Sequence, residues 1–412
     1  MSAATATAQH RHPSKLPLRQ LLLLSSATFL GVSTENLPIG LLPQIATRLS
    51  ISTSEAGHLV TAYSSIVMLS ALPLALWTQR IARRRLLVTS LLVYATSCWI
   101  TAVATDYLST IAARLAGGLA HAVLLSMIAG LAAALAPAHA RGRATAIVFA
   151  GNASGLALGV PAGAAIGAVT GDRWVFAGLG AAALLIAAAC ARTIPIVPGV
   201  HDSSTGTLKH LLSNRGVLTL TSSTLLVMTG SFTLYTYITP FLSQGGLGAG
   251  AVSAVLLLNG SAGIVGTILI GRSVDTKPAL SSATVIVTMA LTLLLIALLA
   301  NGPTVLVVPA VTIWGASYAA LTVCLQTMVL RRAPECHHTA ASALYVSAFN
   351  AGISAGALSG GLLADSGSWR SLALLAASLV AVGGVVLSHG VPHRRRNKHA
   401  MAIDGNPGHV TK

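Results

Sequence analysis

The chain is 412 residues long, 54% hydrophobic and only 8% charged, where a soluble domain carries roughly a quarter charged residues, so a water-soluble fold is excluded. The apolar residues recur in blocks of about 20, the length that crosses a hydrocarbon layer as a helix, and not as the alternating ten-residue strands of an outer-membrane barrel. A net charge of +16 would suit nucleic acid, but the basic residues sit at every second helix end rather than in one patch, which argues against that partner.

Taken in chain order, residues 1–19 are a polar tail with no A-x-A-like cleavage site, so the first helix is expected to be its own insertion signal. Twelve spans are predicted, at 20–46, 57–78, 86–105, 109–135, 144–169, 174–196, 217–242, 251–271, 280–301, 305–330, 339–363 and 371–391. The first carries GVSTENLPIGLLP, Gly31 to Pro43, with Glu35, Asn36, two prolines and two glycines in an otherwise apolar run. At a helix centre an ionised side chain costs about 2.5 to 3.5 kcal/mol, so it faces a cavity or a partner. Burial also favours the protonated carboxyl, which suits Glu35 to taking up and releasing a proton; the alternative is a permanently paired structural glutamate. The other acidic residues fall in loops or at helix ends.

The second span contributes Tyr63 and ends in the basic stretch Arg80 to Arg85. In the fourth, Arg114 is the basic residue lying within a span, and His121, seven residues on, returns to nearly the same face and could relay a proton. A guanidinium snorkelling to the surface is the alternative for Arg114. The fifth span contains GLALGVPAG, where Gly155, Gly159 and Gly163 allow close helix approach and Pro161 supplies a kink. A cytoplasmic linker follows at 198–216, between a six-helix half at 20–197 and another at 217–391; residues 392–412 form a second tail. In the C-terminal half Tyr235, Tyr237, Asn259, Gln326 and Asn350 are expected, with Asn36 and Tyr63, to line a polar-walled cavity for a hydroxylated or amphipathic small molecule.

The halves read as repeats offset by about 197 residues. NASGLALGVPAGAAIGAVTGDRW from Asn152 aligns with NAGISAGALSGGLLADSGSWR from Asn350, Gly118 with Gly315, Pro43 with Pro240, and Ala75 to Gln79 with Gly271 to Asp275. Six-helix repeats about an axis along the membrane normal place a substrate site between them near the midplane. Arg11, Lys15, Arg19, Arg80, Arg83 to Arg85, Arg141, Arg143, Arg192, Lys209, Arg215, Arg272, Lys277, Arg331, Arg332 and the basic tail fall on one side, and Arg48, Arg173 and Arg370 on the other. That asymmetry predicts cytoplasmic termini.

Enzyme readings are weak. There is no phosphate-binding Gly-rich loop followed by Lys and Ser/Thr, and GNASG around Ser154 lacks the spacing of a nucleophile turn. Cys98, Cys190, Cys324 and Cys336 are too far apart to suggest a disulfide or metal framework, and CHH at Cys336 to His338 is read as solvated, so no metal or cofactor is expected.

At these residues the chain resembles the major facilitator superfamily, and within it the twelve-span drug:proton antiporter branch. STENLPIGLLPQIA resembles that branch's TEF-x-x-x-GLLP first-helix signature, with Asn36 in place of the usual Phe; ARLAGG resembles its fourth-helix R-x-x-x-G motif and GLALGVPAG its fifth-helix antiporter motif. LPLALWTQRIARRRLL, RLAGGLAHAVLLS, LYTYITPFL and FNAGISAGAL are most similar to the bacterial sugar efflux transporters, with amphenicol efflux proteins as near neighbours. The family's G-x-x-x-D-R-x-G-R-R loop motif departs here: Gln79 replaces the acid and both glycines are alanine, while Arg80 and Arg84 are kept and the second copy keeps Gly271 and Asp275. The resemblance implies an all-α membrane protein with the major facilitator fold, resident in a bacterial inner membrane and acting as a monomer. It implies export of sugars, or alternatively of amphenicol-type drugs, in exchange for protons, with Glu35, Arg114 and His121 in the coupling.

Overall fold

The structure is a computed structural model that describes residues 16–78, 80–137, 140–199, 211, 213–271, 273–274, 277–333 and 338–390. Every regular element among the described residues is helical. The first group of helices is α1 (Leu18–Leu49), α2 (Thr53–Trp77), α3 (Arg83–Val103), α4 (Tyr107–Leu135), α5 (Arg141–Ser154), a π-helical turn at Gly155–Gly159, α6 (Val160–Thr170) and α7 (Asp172–Thr193). The second group is α8 (Arg215–Tyr235), α9 (Ile238–Gln244), α10 (Ala249–Gly271), α11 (Pro278–Leu299), a 3-10 turn at Thr304–Val307, α12 (Val308–Arg332), α13 (His338–Ala364) and α14 (Trp369–Gly390).

Among the described residues, 11 helical stretches are long and apolar enough to cross a membrane. The 32-residue α1 adds a twelfth crossing by length, its hydropathy lowered by the polar residues around Glu35. Local chemistry sets several ends. Ser52 and Glu55 form a reciprocal capping box at the start of α2, the Asp106 carboxylate accepts from the Ser109 N–H to open α4, and Asn214 caps α8. The predicted spans match these helices to within a few residues, with two differences. The fifth crossing widens into the π turn just before Pro161, and the seventh breaks at Thr236 and Tyr237, three residues before Pro240. In both cases the proline cannot donate to the carbonyl four residues back, and the ladder loosens there.

Glycines of the fifth crossing make a groove for α1. Cβ atoms at Gly155, Gly159 and Gly163 would run into Phe29, Ser33 and Leu37 respectively, at 2.7 Å from the Phe29 carbonyl oxygen in the first case. The same device recurs about 197 residues on: Gly352, Gly356 and Gly360 of α13 lie against the backbone of Leu225, Thr229 and Thr233 in α8. Each group thus seats its first helix in the glycine groove of its fifth. Between the groups, α2 packs on α13, and α6 with the π turn packs on α10. Cys98, Cys190 and Cys324 are buried free thiols. Gln79, Arg272, Asp275, Cys336, most of the 198–216 linker and both tails lie outside the described residues.

Candidate functional site

Two prolines in α1 unmask two backbone carbonyls, and both are used. Pro38 has no N–H for the carbonyl of Thr34, and that oxygen instead accepts from Arg114 Nη1 at 2.7 Å. Arg114 Nη2 donates to the neighbouring Glu35 carbonyl at 2.8 Å, and its guanidinium lies 4.2 Å from the Tyr63 ring centroid. Arg114 is therefore fully buried and does not snorkel. It binds the backbone beside Glu35 rather than the carboxylate. One turn on, Pro43 frees the carbonyl of Ile39, which accepts from Thr239 Oγ1 at 2.7 Å, across from the second group of helices.

Around Glu35 the first group assembles a line of titratable and hydroxyl groups. His121 Nε2 lies 3.6 Å from Glu35 Oε2, just beyond hydrogen-bond reach. On its other side His121 Nδ1 is 2.5 Å from the Tyr94 hydroxyl, which is 3.3 Å from that of Tyr63. With the imidazole proton on Nε2, Tyr94 donates to Nδ1 and the Nε2–H faces Glu35. Glu35, Arg114, His121, Tyr63 and Tyr94 are all buried, so the line is sealed from bulk water on this face. Asn36 donates from Nδ2 to the Val32 carbonyl at 3.1 Å and stands only 3.5 Å from Glu35 Oε2.

Opposite lies a cavity of about 10 Å³, room for roughly one water. Its walls are Leu156 of the π turn, Ser231, Phe232 and Tyr235 of α8, Asn259 of α10, and Trp314 and Tyr318 of α12. Tyr235 meets Trp314 edge to face with centroids 5.8 Å apart, and Phe232 contacts Tyr235 and Tyr318 in the same manner. Trp314 Nε1 and Ser231 Oγ are buried without a hydrogen-bond partner. Buried polar atoms are nearly always paired, so these two, with no partner among the described residues, leave unmet hydrogen-bonding capacity on one cavity wall. Leu156 of this wall belongs to the π turn whose Gly155 packs against Phe29 and Val32 of α1, one turn before Glu35.

The remaining predicted residues divide. Asn259 and Tyr235 line the cavity, although Asn259 Nδ2 is held by the Val311 carbonyl at 2.8 Å. Asn350 is buried, with Nδ2 on the Val346 carbonyl at 3.0 Å and Oδ1 unpaired. Gln326 is half-buried on α12. Tyr237 stands apart from the cavity: its hydroxyl donates to the Ala357 carbonyl at 2.8 Å and its ring is packed against Gly57 and Gly360. Arg80 is exposed, and Arg84 approaches the Ile194 carbonyl at 3.4 Å. Trp314, Tyr94, Phe232, Tyr318, Ser231 and Thr239 were not singled out from sequence. A lone phenol in the third span and the tryptophan beside Gly315 were the available signals.

Described hydrogen bonds that cross between the two groups gather toward the end away from the termini and at mid-depth: Thr239 to the Ile39 carbonyl, the Ser54 N–H to Asp365 Oδ1 at 3.0 Å, and Ser65 with Ser354 at 2.5 Å. At that same end Arg48 holds Asp172 at 2.8 Å and the Ala104 carbonyl at 2.6 Å, tying α1 to α7 and to the end of α3.

The family model of the Major Facilitator Superfamily matches residues 24–357 and 281–402. A relative from Mannheimia succiniciproducens described as a probable sugar efflux transporter is 32% identical over 344 residues, covering 83% of this chain and 86% of the relative. Among solved structures, the crystal structure of a mutant of the nucleoside transporter NupG superposes with a TM-score of 0.69 at 14% identity, covering 90% of this chain and 100% of that one.

Proposed function

The chain belongs to the major facilitator superfamily and is a multi-pass membrane transporter rather than an enzyme; from that premise we propose that it exports sugars or sugar-like compounds from a bacterial cell in exchange for protons. It acts as a monomer in the inner membrane with both termini cytoplasmic, needs no cofactor, and draws on the proton gradient. The observation that carries the coupling is the buried line Glu35, His121, Tyr94 and Tyr63 beside the aromatic cavity. A proton taken up by Glu35 removes a charge next to the substrate wall, and its release restores that charge. Arg114 holds the proline-containing α1 in register so that the carboxyl faces His121. Export follows as the two groups of helices rock about the site, with the hydrogen bonds at the end away from the termini broken and remade.

Support for a sugar-like substrate comes from the relative's description and from the unpaired Trp314 Nε1 and Ser231 Oγ, which would meet hydroxyls on a ring stacked against Trp314. A second reading, export of an amphenicol-type drug, is favoured by the four aromatic rings in the same wall. Purified protein in vesicles separates them when arabinose-like sugars and chloramphenicol-type compounds are offered under an imposed pH gradient. Glu35→Gln is expected to abolish gradient-driven flux of the true substrate while leaving substrate-for-substrate exchange. Undiminished gradient-driven flux in that variant overturns the coupling role.

A further inference from the structure

At the end of the bundle that carries both termini, remote from the Glu35 line, α8, α12 and α14 converge on a pocket of about 640 Å³. Arg215 from the first turn of α8, Arg332 from the last turn of α12 and His389 from the last turn of α14 line it, with Thr219 and Val385. Among the described residues no acidic side chain lines this pocket, and neither of its arginines is in an ion pair. The charge is concentrated further. A Cβ at Gly216 would stand 2.5 Å from Arg332 Nη1, so the glycine is what lets that guanidinium lie against the positive end of α8. Two guanidiniums and a helix N-terminus held together with no acidic partner among the described residues are mutually repulsive, and an anion between them relieves that. The N–H groups of Gly216 and Val217 are already taken by Asn214 Oδ1, at 3.0 and 3.2 Å, so the side chains do the recognising. His389 Nδ1 donates to the Val385 carbonyl at 2.8 Å, which fixes the ring against α14, so the two guanidiniums carry the recognition.

The apolar surroundings select the anion. Val385, 55% exposed, and Val382, 50% exposed, lie on one face of α14 running from the pocket toward the middle of the bundle, and Leu218 and Leu225 continue the exposed apolar surface on the adjacent α8. A soluble phosphate has no use for such a track, whereas acyl chains do. We propose that this pocket binds the phosphodiester headgroup of an anionic phospholipid, with its chains lying along α8 and α14.

The test uses the full-length purified protein in neutral detergent, with phosphatidylglycerol, phosphatidylcholine or inorganic phosphate added, reading retained lipid by native mass spectrometry and the thermal midpoint. Phosphatidylglycerol is expected to be retained and to raise the midpoint, phosphatidylcholine and phosphate not. Each arginine near an anionic surface contributes about a fivefold effect on affinity, so Arg215→Gln should weaken phosphatidylglycerol about fivefold and Arg215→Gln with Arg332→Gln about 25-fold. Arg19→Gln, an exposed arginine at the same end, serves as the control and should change nothing. Arg215 is itself exposed, so its single variant decides the matter if the double variant misfolds. An equal response of Arg215→Gln and Arg19→Gln overturns the proposal. So does a response to inorganic phosphate as large as that to phosphatidylglycerol, which would make the pocket a soluble-anion site.

Discussion

Arg114→Met keeps most of the side chain's length and removes its charge, which isolates the role of the guanidinium on α1. In the native arrangement it donates at 2.7 and 2.8 Å to two carbonyls, each charge-assisted bond contributing about 1.5 to 3 kcal/mol, and the Tyr63 ring adds about 0.5 to 2 kcal/mol. The cost of burying a guanidinium offsets part of this, leaving a net loss of about 3 kcal/mol for the variant. A large part arises because Pro38 cannot donate to Thr34, whose carbonyl would be left unpaired in a dry interior at about 1 to 3 kcal/mol. Pro38→Ala restores that N–H. The prediction is therefore a coupling: Arg114→Met should cost about 1 to 3 kcal/mol less in a Pro38→Ala background than alone. Denaturation of the four purified proteins in mixed detergent micelles gives the cycle. Additivity to within about 0.5 kcal/mol would refute the claim that the arginine caps the carbonyl Pro38 exposes.

Two further outcomes follow from the same geometry. Thr239→Val removes the donor to the Ile39 carbonyl and should disfavour the state closed at the end away from the termini by about 1 to 2 kcal/mol, read as roughly a tenfold rise in labelling of a Ser54→Cys reporter by a thiol reagent; unchanged labelling refutes it. Tyr94→Phe keeps the ring that meets His121 edge to face but removes the hydroxyl on Nδ1, so it should slow pH-gradient-driven flux about tenfold or more while leaving substrate affinity within about twofold. Equal losses of affinity and flux would instead mean that the hydroxyl only shapes the cavity.

Helix ends were legible because each apolar block is bounded by polar or capping residues such as Ser52, Asp106 and Asn214. The core of the site was legible for a related reason: an uncompensated Glu35 inside a span needs company, and Arg114 and His121 share a helix face. What the sequence could not supply is which atoms meet. Arg114 and Glu35 invite the inference of an ion pair, yet the guanidinium goes to the carbonyls beside the carboxylate, because a proline-freed oxygen in a dry interior is an acceptor too. Tyr237 and Tyr235 look equivalent two residues apart. The break in the helix before Pro240 turns one into the packing between α8 and α13 and leaves the other on the cavity. Trp314 was hidden because a tryptophan in an apolar helix has no pattern of its own until its unpaired N–H is seen.

The two carbonyls that Pro38 and Pro43 expose are Thr34 and Ile39, on either side of Glu35 and about five residues apart, or some 7 Å along a helix. One is tied to Arg114 within the first group of helices, and the other to Thr239 in the second. The stretch between them carries the carboxyl, and its backbone, freed of two ladder bonds, is the part of α1 best able to bend. In the proposed cycle, protonation of Glu35 would change the charge facing His121 and the guanidinium's neighbourhood, while separation of the two groups at the end away from the termini would require the Thr239 bond to break. Both would act on the same few residues of one proline-containing helix. The proposed exchange of proton for substrate would therefore need no long relay through the protein: the segment proposed to take the proton is also the one tied to the second group of helices through Thr239, and the prolines that look out of place in a membrane helix expose the carbonyls that make both ties.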